Sequence, residues 1–169
     1  MTQTMEDREI KLDRMRYVKN SSSSRLCYLA ILMDVLYFIS IYKSDVGSWY
    51  YQILIGASIV YNLLFMLIAF LASEGVKNYQ KIYSAVLLPL GALQIVRIFI
   101  LPMQAHHAVV KVSGVETIVM QNPQFIRVLI YLAVSAACLI AAALINWRKC
   151  NLLEAHMKAL DARNEREAS

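Results

Sequence analysis

Long apolar runs separated by short polar segments dominate the sequence. The runs cover residues 26–42, 50–73, 82–101 and 125–147. A helix rises about 1.5 Å per residue, so about 20 apolar residues are needed to cross about 30 Å of hydrocarbon. The last three runs meet this length. The pattern therefore predicts an all-α, polytopic membrane protein that folds as a four-transmembrane-helix bundle, with the lipid bilayer as its main partner.

The first apolar run is the shortest and contains a charge. Residues 26–42 include Asp34 near their middle, and a carboxylate at the centre of a span costs about 2.5–3.5 kcal/mol. The nine Leu, Ile, Val and Phe residues of the run each return about 0.3–0.6 kcal/mol. The free energy of inserting this run into the membrane is then close to zero, so insertion needs help from a neighbouring helix. A three-span protein with an interfacial first segment stays open as an alternative.

Charged segments flank the predicted membrane domain of residues 26–147. Residues 1–25 hold six basic and four acidic residues and form a charged, amphipathic amino-terminal segment with a short helix at the membrane surface. The Asn20 to Ser24 tract at its end is typical of a brief flexible link. Residues 148–169 continue the fourth span as a helical tail. We expect both ends to be short cytoplasmic helices.

The loop of residues 102–124 is the longest predicted outer segment. Its Val-rich stretches at 109–112 and 115–120 surround a Ser-Gly pair at 113–114, which predicts two short strands around a turn. Two strands alone are marginal in water. We therefore expect a small hairpin that rests on the helices or on a partner.

The composition agrees with a membrane protein and argues against other classes. Apolar residues make up 59% of the chain and charged residues 17%, against about 45–50% and about 25% in soluble domains. The net charge of +5 is gathered mainly at the two ends and mixed there with acidic residues, so no groove for nucleic acid is predicted. Cys27, Cys138 and Cys150 lack the spacing of a metal or redox motif, and no disulfide is expected.

Lys and Arg near the span ends predict the orientation. The amino-terminal segment has six, residues 74–81 have two and the tail from Arg148 has five, whereas the loops at 43–49 and 102–124 have one each. Basic residues are enriched in cytoplasmic loops. Both termini and the middle loop are therefore predicted to be cytoplasmic, and the cell or cytoplasmic membrane is the favoured location.

Four polar residues lie at membrane depth: Asp34, Asn62, Gln94 and Arg97. Such groups are costly in lipid and usually face the bundle interior. Asp34 and Asn62 fall near mid-membrane, and the other two lie nearer the outside. One interpretation is a neutralised Asp34 and Arg97 pair that fixes the packing of the first and third spans. The other is a proton or ion relay, or a polar substrate site, although relays usually have more titratable groups in line.

Two further motifs carry weaker signals. His106 and His107 are adjacent, so their side chains point in different directions and they are poor candidates for two ligands of one metal. Ala133, Ala137 and Ala141 form a small-xxx-small stripe on the fourth span. The stripe permits close helix approach, either within the chain or in a dimer.

No catalytic or cofactor motif accompanies these features. The sequence has no P-loop, HExxH, CxxC or GxSxG, and no predicted span carries a histidine for haem. We therefore predict a non-enzymatic integral membrane protein without metal or cofactor. It would be an accessory or structural subunit of a membrane transport complex, packing with other membrane proteins or with itself. The alternative is a small homo-oligomeric transporter or channel that uses the polar layer around Asp34 and Arg97.

Overall fold

The computed structural model describes residues 2–42, 52–112 and 115–167. Helices and one hairpin follow in this order: α1 (Thr2–Tyr17), α2 (Ser21–Ile41), α3 (Gln52–Lys77), α4 (Lys81–Ile100), α5 (Pro102–His107), β1 (Val109–Val112), β2 (Val115–Ile118) and α6 (Asn122–Glu167). The predicted loop at 43–49, the start of the second apolar run and the Ser-Gly turn lie outside the described residues. Within the described ranges the chain is helical apart from this hairpin, as the apolar pattern predicts.

Four helical segments of the described chain are long and apolar enough to cross a membrane: Ser21–Ile41, Gly56–Lys77, Lys81–His107 and Asn122–Arg166. The first is 21 residues long because α2 begins at Ser21, ahead of the apolar run itself. The prediction of a flexible link up to Ser24 is therefore wrong. The added turn gives the first segment the length that its apolar run lacked.

The four long helices pack side by side in chain order. α6 makes its most extensive contacts with α2 and α4, and α3 packs mainly on α2 and less on α4. α2 and α4 therefore occupy opposite corners of the assembly, as do α3 and α6. Neighbours joined in chain order are the arrangement of up-and-down four-helix bundles.

Buried positions repeat every three or four residues along the bundle helices. On α2 they include Cys27, Ala30, Asp34, Tyr37 and Ile41. This spacing averages 3.5 residues and keeps one face of a helix toward its neighbours when helices cross at a shallow angle. It places Asp34 between two separate apolar parts of the core, one containing Ala30 and the other containing Tyr37.

Two glycines permit close helix contacts. A Cβ atom on Gly75 of α3 would lie 2.0 Å from Tyr83 Cδ2 of α4. A Cβ atom on Gly91 of α4 would lie 2.8 Å from Ile140 Cγ1 of α6. Both distances are below van der Waals contact, so any larger side chain requires a shift of the neighbouring residue.

The alanine stripe predicted on the fourth span is mostly exposed and does not form the buried face of α6. Ala133 and Ala137 of α6 are exposed, and Ala141 is half-buried. The buried small residues of this helix are four others: Ser135, Ala136, Ala142 and Ala143. Leu132 and Leu139 are fully buried and seven residues apart, and these large side chains set the face that α6 turns toward the bundle.

The hairpin predicted between the third and fourth apolar runs is confirmed. β1 and β2 pair antiparallel, with Val109 opposite Ile118 and Lys111 opposite Glu116. The second strand ends at Ile118, and the next two residues, Val119 and Met120, are buried in the nearby apolar core. The base of the hairpin thus rests on the helices, as an isolated pair of strands requires.

The opposite end of the bundle carries two helical extensions. α6 runs unbroken for 46 residues, which is about 69 Å at 1.5 Å per residue and about twice the thickness of the hydrocarbon layer. This confirms the prediction that the tail continues the last apolar helix. α1 packs on the extension, where His156 Nε2 lies 2.9 Å from Asp13 Oδ1.

Candidate functional site

The four polar residues predicted at membrane depth meet in the centre of the bundle. Asp34 comes from α2, Asn62 from α3, and Gln94 and Arg97 from α4, and the exposed fraction of each is 6% or less. The spacing of three between Gln94 and Arg97 puts both on one face of α4. We call these four residues, together with Ser135 of α6, the polar cluster.

Arg97 joins the other members through hydrogen bonds and an ion pair. Its Nη1 donates to Asp34 Oδ1 at 2.8 Å and to Gln94 Oε1 at 3.3 Å, and its Nη2 donates to Asn62 Oδ1. Because α2 and α4 occupy opposite corners, the Arg97 side chain crosses the bundle centre to reach Asp34. Hydrogen bonds between charged partners are stronger than neutral ones.

Gln94 and Ser135 extend the cluster to α6. Gln94 Nε2 donates to Asp34 Oδ1 at 3.0 Å and to Ser135 Oγ at 3.3 Å. Ser135 Oγ donates in turn to the carbonyl oxygen of Ala30 on α2 at 3.1 Å. All four bundle helices therefore contribute to one hydrogen-bonded layer.

Two tyrosine rings flank the guanidinium of Arg97. Its Cζ atom lies 4.2 Å from the ring centroid of Tyr37 and 5.1 Å from that of Tyr61. Cation–π contacts of this kind contribute about 0.5–2 kcal/mol. Sequence reasoning missed both tyrosines, although Tyr61 directly precedes Asn62 and Tyr37 lies one turn after Asp34. Proximity to a polar residue at membrane depth was the available signal.

Three polar atoms in or beside the cluster are buried without a partner in the described part of the chain. They are Asp34 Oδ2, Asn62 Nδ2 and the Tyr37 hydroxyl. Unsatisfied buried groups are uncommon in protein interiors. The cluster therefore balances its charges internally, yet it retains capacity to bind a further polar atom.

A cavity of about 220 Å³ adjoins the cluster on the Arg97 side. Its walls come from α2, α3 and α4. The polar side includes Tyr37, Tyr61 and Arg97, and the apolar side includes Leu93, Val96 and Ile100.

A second polar network joins helix ends near α1. Asn146 Nδ2 donates to Ser84 Oγ at 2.8 Å, and Asn20 Nδ2 donates to Asn146 Oδ1 at 3.0 Å. Lys149 Nζ donates to Asn20 Oδ1 at 2.8 Å. Sequence reasoning missed this network. These contacts between distant parts of the chain fix Asn20 and hence the point where α2 begins.

Of the two adjacent histidines at the hairpin end, His106 is packed and His107 is exposed. His106 Nδ1 lies 3.2 Å from the carbonyl oxygen of Met120, and its ring stacks on Phe125 with centroids 4.4 Å apart. The His106 and His107 ring centroids are 5.5 Å apart. Across residues 2–42, 52–112 and 115–167, no group of three or more His, Cys, Asp or Glu is placed to hold a metal.

Fold and cluster together define a class of protein: a helical chain with four apolar helices of membrane length whose interior is joined by a buried ion pair. The sequence was compared with protein-family models and with curated proteins, and the structure with solved structures, and none of the three comparisons found a match. Function therefore has to be inferred from the geometry of the chain.

Proposed function

We propose that the protein is a multi-pass membrane protein with four spans, formed by α2, α3, α4 and α6. The outward faces of these helices support this, since many large apolar residues on them are more than half exposed, among them Leu32, Leu63, Leu67, Phe99 and Ile130. Apolar surface of this extent is a liability in water and is normal in lipid. The packing of α2 between α3 and α6 supports four spans over three spans with an interfacial first segment.

We further propose that both termini are cytoplasmic, as the distribution of Lys and Arg predicts. Single cysteines introduced for labelling with a membrane-impermeant reagent in intact cells test this orientation. A cysteine at Ser113 should be modified from outside, and one at Asn78 should not. Native Cys27, Cys138 and Cys150 are buried and should react weakly. The opposite pattern would overturn the orientation, and access to both sites would indicate a different number of spans.

The role that the geometry supports best is that of a non-enzymatic accessory or structural subunit of a membrane complex, such as a transport complex. The observation that carries this proposal is the polar cluster. The charge of Arg97 is balanced by Asp34 at 2.8 Å, Gln94 and Asn62 bond the pair directly, and Ser135 of α6 bonds Gln94. A buried pair that is neutralised in this way supports one packing of the helices. The cluster then serves the shape of the subunit.

The helical ends supply a surface for a partner. α6 continues 20 residues past Trp147, or about 30 Å at 1.5 Å per residue. The outer part of this extension is exposed and carries charges of both signs, including Lys158, Asp161, Arg163 and Glu165. A projecting helix with mixed charges is suited to contact the cytoplasmic part of another protein.

Purification of the full chain in a mild detergent tests the subunit role. We expect a membrane protein to co-purify in a fixed ratio. The ratio should fall when Lys158 and Arg163 are replaced by Glu. Lys111→Glu in the exposed hairpin makes the same kind of change at the other end of the bundle and should leave the ratio unchanged. A strictly monomeric particle without a partner would contradict the proposal.

The alternative is a small homo-oligomeric transporter or channel that uses the layer around Asp34 and Arg97. The unpartnered atoms Asp34 Oδ2 and Asn62 Nδ2, and the cavity next to Arg97, favour it, because a path for ions or protons needs groups that can exchange partners. Uptake into liposomes that contain this protein alone would support this alternative. Folded protein without uptake would argue against it.

A further inference from the structure

We propose that the cavity beside Arg97 is a binding site for a small uncharged amphiphile that carries a carbonyl or similar oxygen acceptor. The site is formed by α3, α4 and Tyr37 of α2. It is distinct from the subunit role and does not depend on a partner protein. Four properties of the cavity lead to this choice of occupant: its volume, its donors, its charge balance and its opening.

The volume limits the size of the occupant. The cavity measures about 220 Å³. An apolar cavity of about 150 Å³ holds benzene, so in proportion this one has room for roughly nine heavy atoms, such as one ring with a carbonyl group, and the rest of a larger molecule would lie in the opening. A whole phospholipid is too large.

The polar side of the cavity offers hydrogen-bond donors. Tyr37 lines the cavity and is 1% exposed, but its hydroxyl is fully buried, so an occupant reaches this donor only after a side-chain shift. Arg97 also lines the cavity, and a guanidinium has five N–H donors and no acceptor. A buried donor without a partner gains a hydrogen bond when the occupant brings an acceptor. An oxygen acceptor at one end of the molecule meets this requirement.

The charge balance favours an uncharged molecule. Arg97 is already paired with Asp34, so the cluster has no net charge to offer. An anion would add a second negative charge in a low-dielectric layer, and a cation would lie beside the guanidinium. Both are costly where water is excluded.

The apolar side opens between α3 and α4. Leu93, Val96 and Ile100 line the cavity and are 46%, 51% and 51% exposed. In the proposed four-span arrangement, on which this step rests, the opening faces lipid. An occupant then enters from the membrane, which selects an amphiphile over a molecule that stays in water.

Benzophenone provides a direct test because it is an uncharged two-ring ketone that cross-links to nearby C–H bonds on illumination. The full chain in nanodiscs is illuminated with this probe, and the labelled residues are located by peptide mass spectrometry. Labelling should concentrate on the residues of α3 and α4 that line the cavity. Ala57→Phe fills the cavity and should reduce the labelling of these residues to the level found at other lipid-facing residues. Ala92→Phe adds the same bulk at an exposed position outside the cavity and should leave it unchanged.

Competing compounds separate the acceptor from the apolar body. Acetylnaphthalene, an uncharged ketone, should compete about threefold to tenfold better than ethylnaphthalene, because one hydrogen bond contributes about 0.5–1.5 kcal/mol. Naphthoate, the corresponding anion, should compete less well than the ketone. Equal competition by the ketone and the hydrocarbon, or better competition by the anion, would overturn the proposed chemistry.

Tyr37→Phe distinguishes ligand binding from a structural role. The hydroxyl donates to no acceptor in the described chain, so its removal should change thermal stability little while the competitive advantage of the ketone over the hydrocarbon falls. A variant that loses thermal stability but in which the ketone still competes better than the hydrocarbon by the same factor would contradict the proposal. Labelling spread evenly over lipid-facing residues would also contradict it. Labelling seen only in nanodiscs of ether-linked lipids would assign the cavity to the ester carbonyl of a lipid instead.

Discussion

Removing both charges of the Asp34 and Arg97 pair should destabilise the protein less than the two single removals added together. Asp34→Asn leaves Arg97 with two side-chain acceptors, Asn62 and Gln94, and with two tyrosine rings. Arg97→Gln leaves the Asp34 carboxylate with Gln94 as its one remaining native donor in the described chain. Breaking a buried pair costs about 3–5 kcal/mol. We expect Arg97→Gln near the upper end of this range and Asp34→Asn near the lower end.

The double variant removes both charges and keeps side chains that can form hydrogen bonds. Its loss of unfolding free energy should be well below the sum of the two single losses. Residues in direct contact show coupling energies of about 0.5–3 kcal/mol, and the 2.8 Å distance and full burial of this pair place the expected coupling at about 2 kcal/mol or more.

Denaturation of the full chain in detergent or bicelles gives the four free energies of the cycle. Lys111 and Glu116 provide a matched control, because their charged atoms are 3.2 Å apart and their side chains are 73% and 65% exposed. Exposed pairs contribute about 0.2–1 kcal/mol, so the cycle of Lys111→Gln with Glu116→Gln should show a much smaller coupling.

Additive losses at Asp34 and Arg97 would refute the pairing and, with it, the polar layer. If the double variant recovers both stability and cellular function, the cluster is structural. If it recovers stability without function, a relay at Asp34 is favoured, because folding then no longer needs the charge although activity does.

Two further substitutions test the packing at the α1 end of the bundle, away from the polar cluster. Gly75→Ala should lower the unfolding free energy by about 1–3 kcal/mol, because the new methyl group meets Tyr83 Cδ2 at 2.0 Å. Gly56→Ala meets no atom within 4 Å and should be neutral or slightly stabilising in the same melt, because Ala is the better helix former. Asn146→Ala removes three hydrogen bonds and should cost at least about 1–3 kcal/mol, whereas Asn151→Ala changes an exposed side chain and should cost little. Equal effects within either pair would contradict the contacts described.

The meeting of Asp34 and Arg97 could be predicted because lipid imposes a strong rule on charges. A charged group at membrane depth has to turn inward and find a partner, and the chain has few such groups. Residue counting from the span ends then gave their approximate levels. This rule predicts the contact between Asp34 and Arg97 although the two residues are 63 positions apart in the sequence.

Ser135 could not be predicted in the same way. A hydroxyl within a helix can bond a carbonyl of its own helix, so its presence in an apolar run carries little information about its neighbours. In the structure it bonds the carbonyl oxygen of Ala30 on another helix. The position of Ser135 between the buried Leu132 and Leu139 was the usable signal.

The alanine stripe shows why small residues predict a helix face poorly. α6 is rich in alanine, so small residues occur at the required spacing on more than one face. Ala133 and Ala137 have the expected spacing of four but are exposed. The burial of larger side chains decides which face turns inward, because they lose more when left without contacts.

The polar layer also specifies which helix faces meet. A charge costs about 2.5–3.5 kcal/mol at the middle of a span and less toward its ends, so a bundle that turns both Asp34 and Arg97 toward lipid carries at most about 5–7 kcal/mol of unfavourable free energy. The adjacent apolar core contains many small side chains, such as Ala69, Ala72 and Ala142, whose contacts change little when a helix rotates. Because α2 and α4 occupy opposite corners, the pair forms across the centre of the bundle, with Asn62 of α3 and Ser135 of α6 completing the layer. In the proposed four-span arrangement, the cost of Asp34 is therefore offset only after α4 has joined α2, and this contact would hold a first span with near-balanced insertion in place.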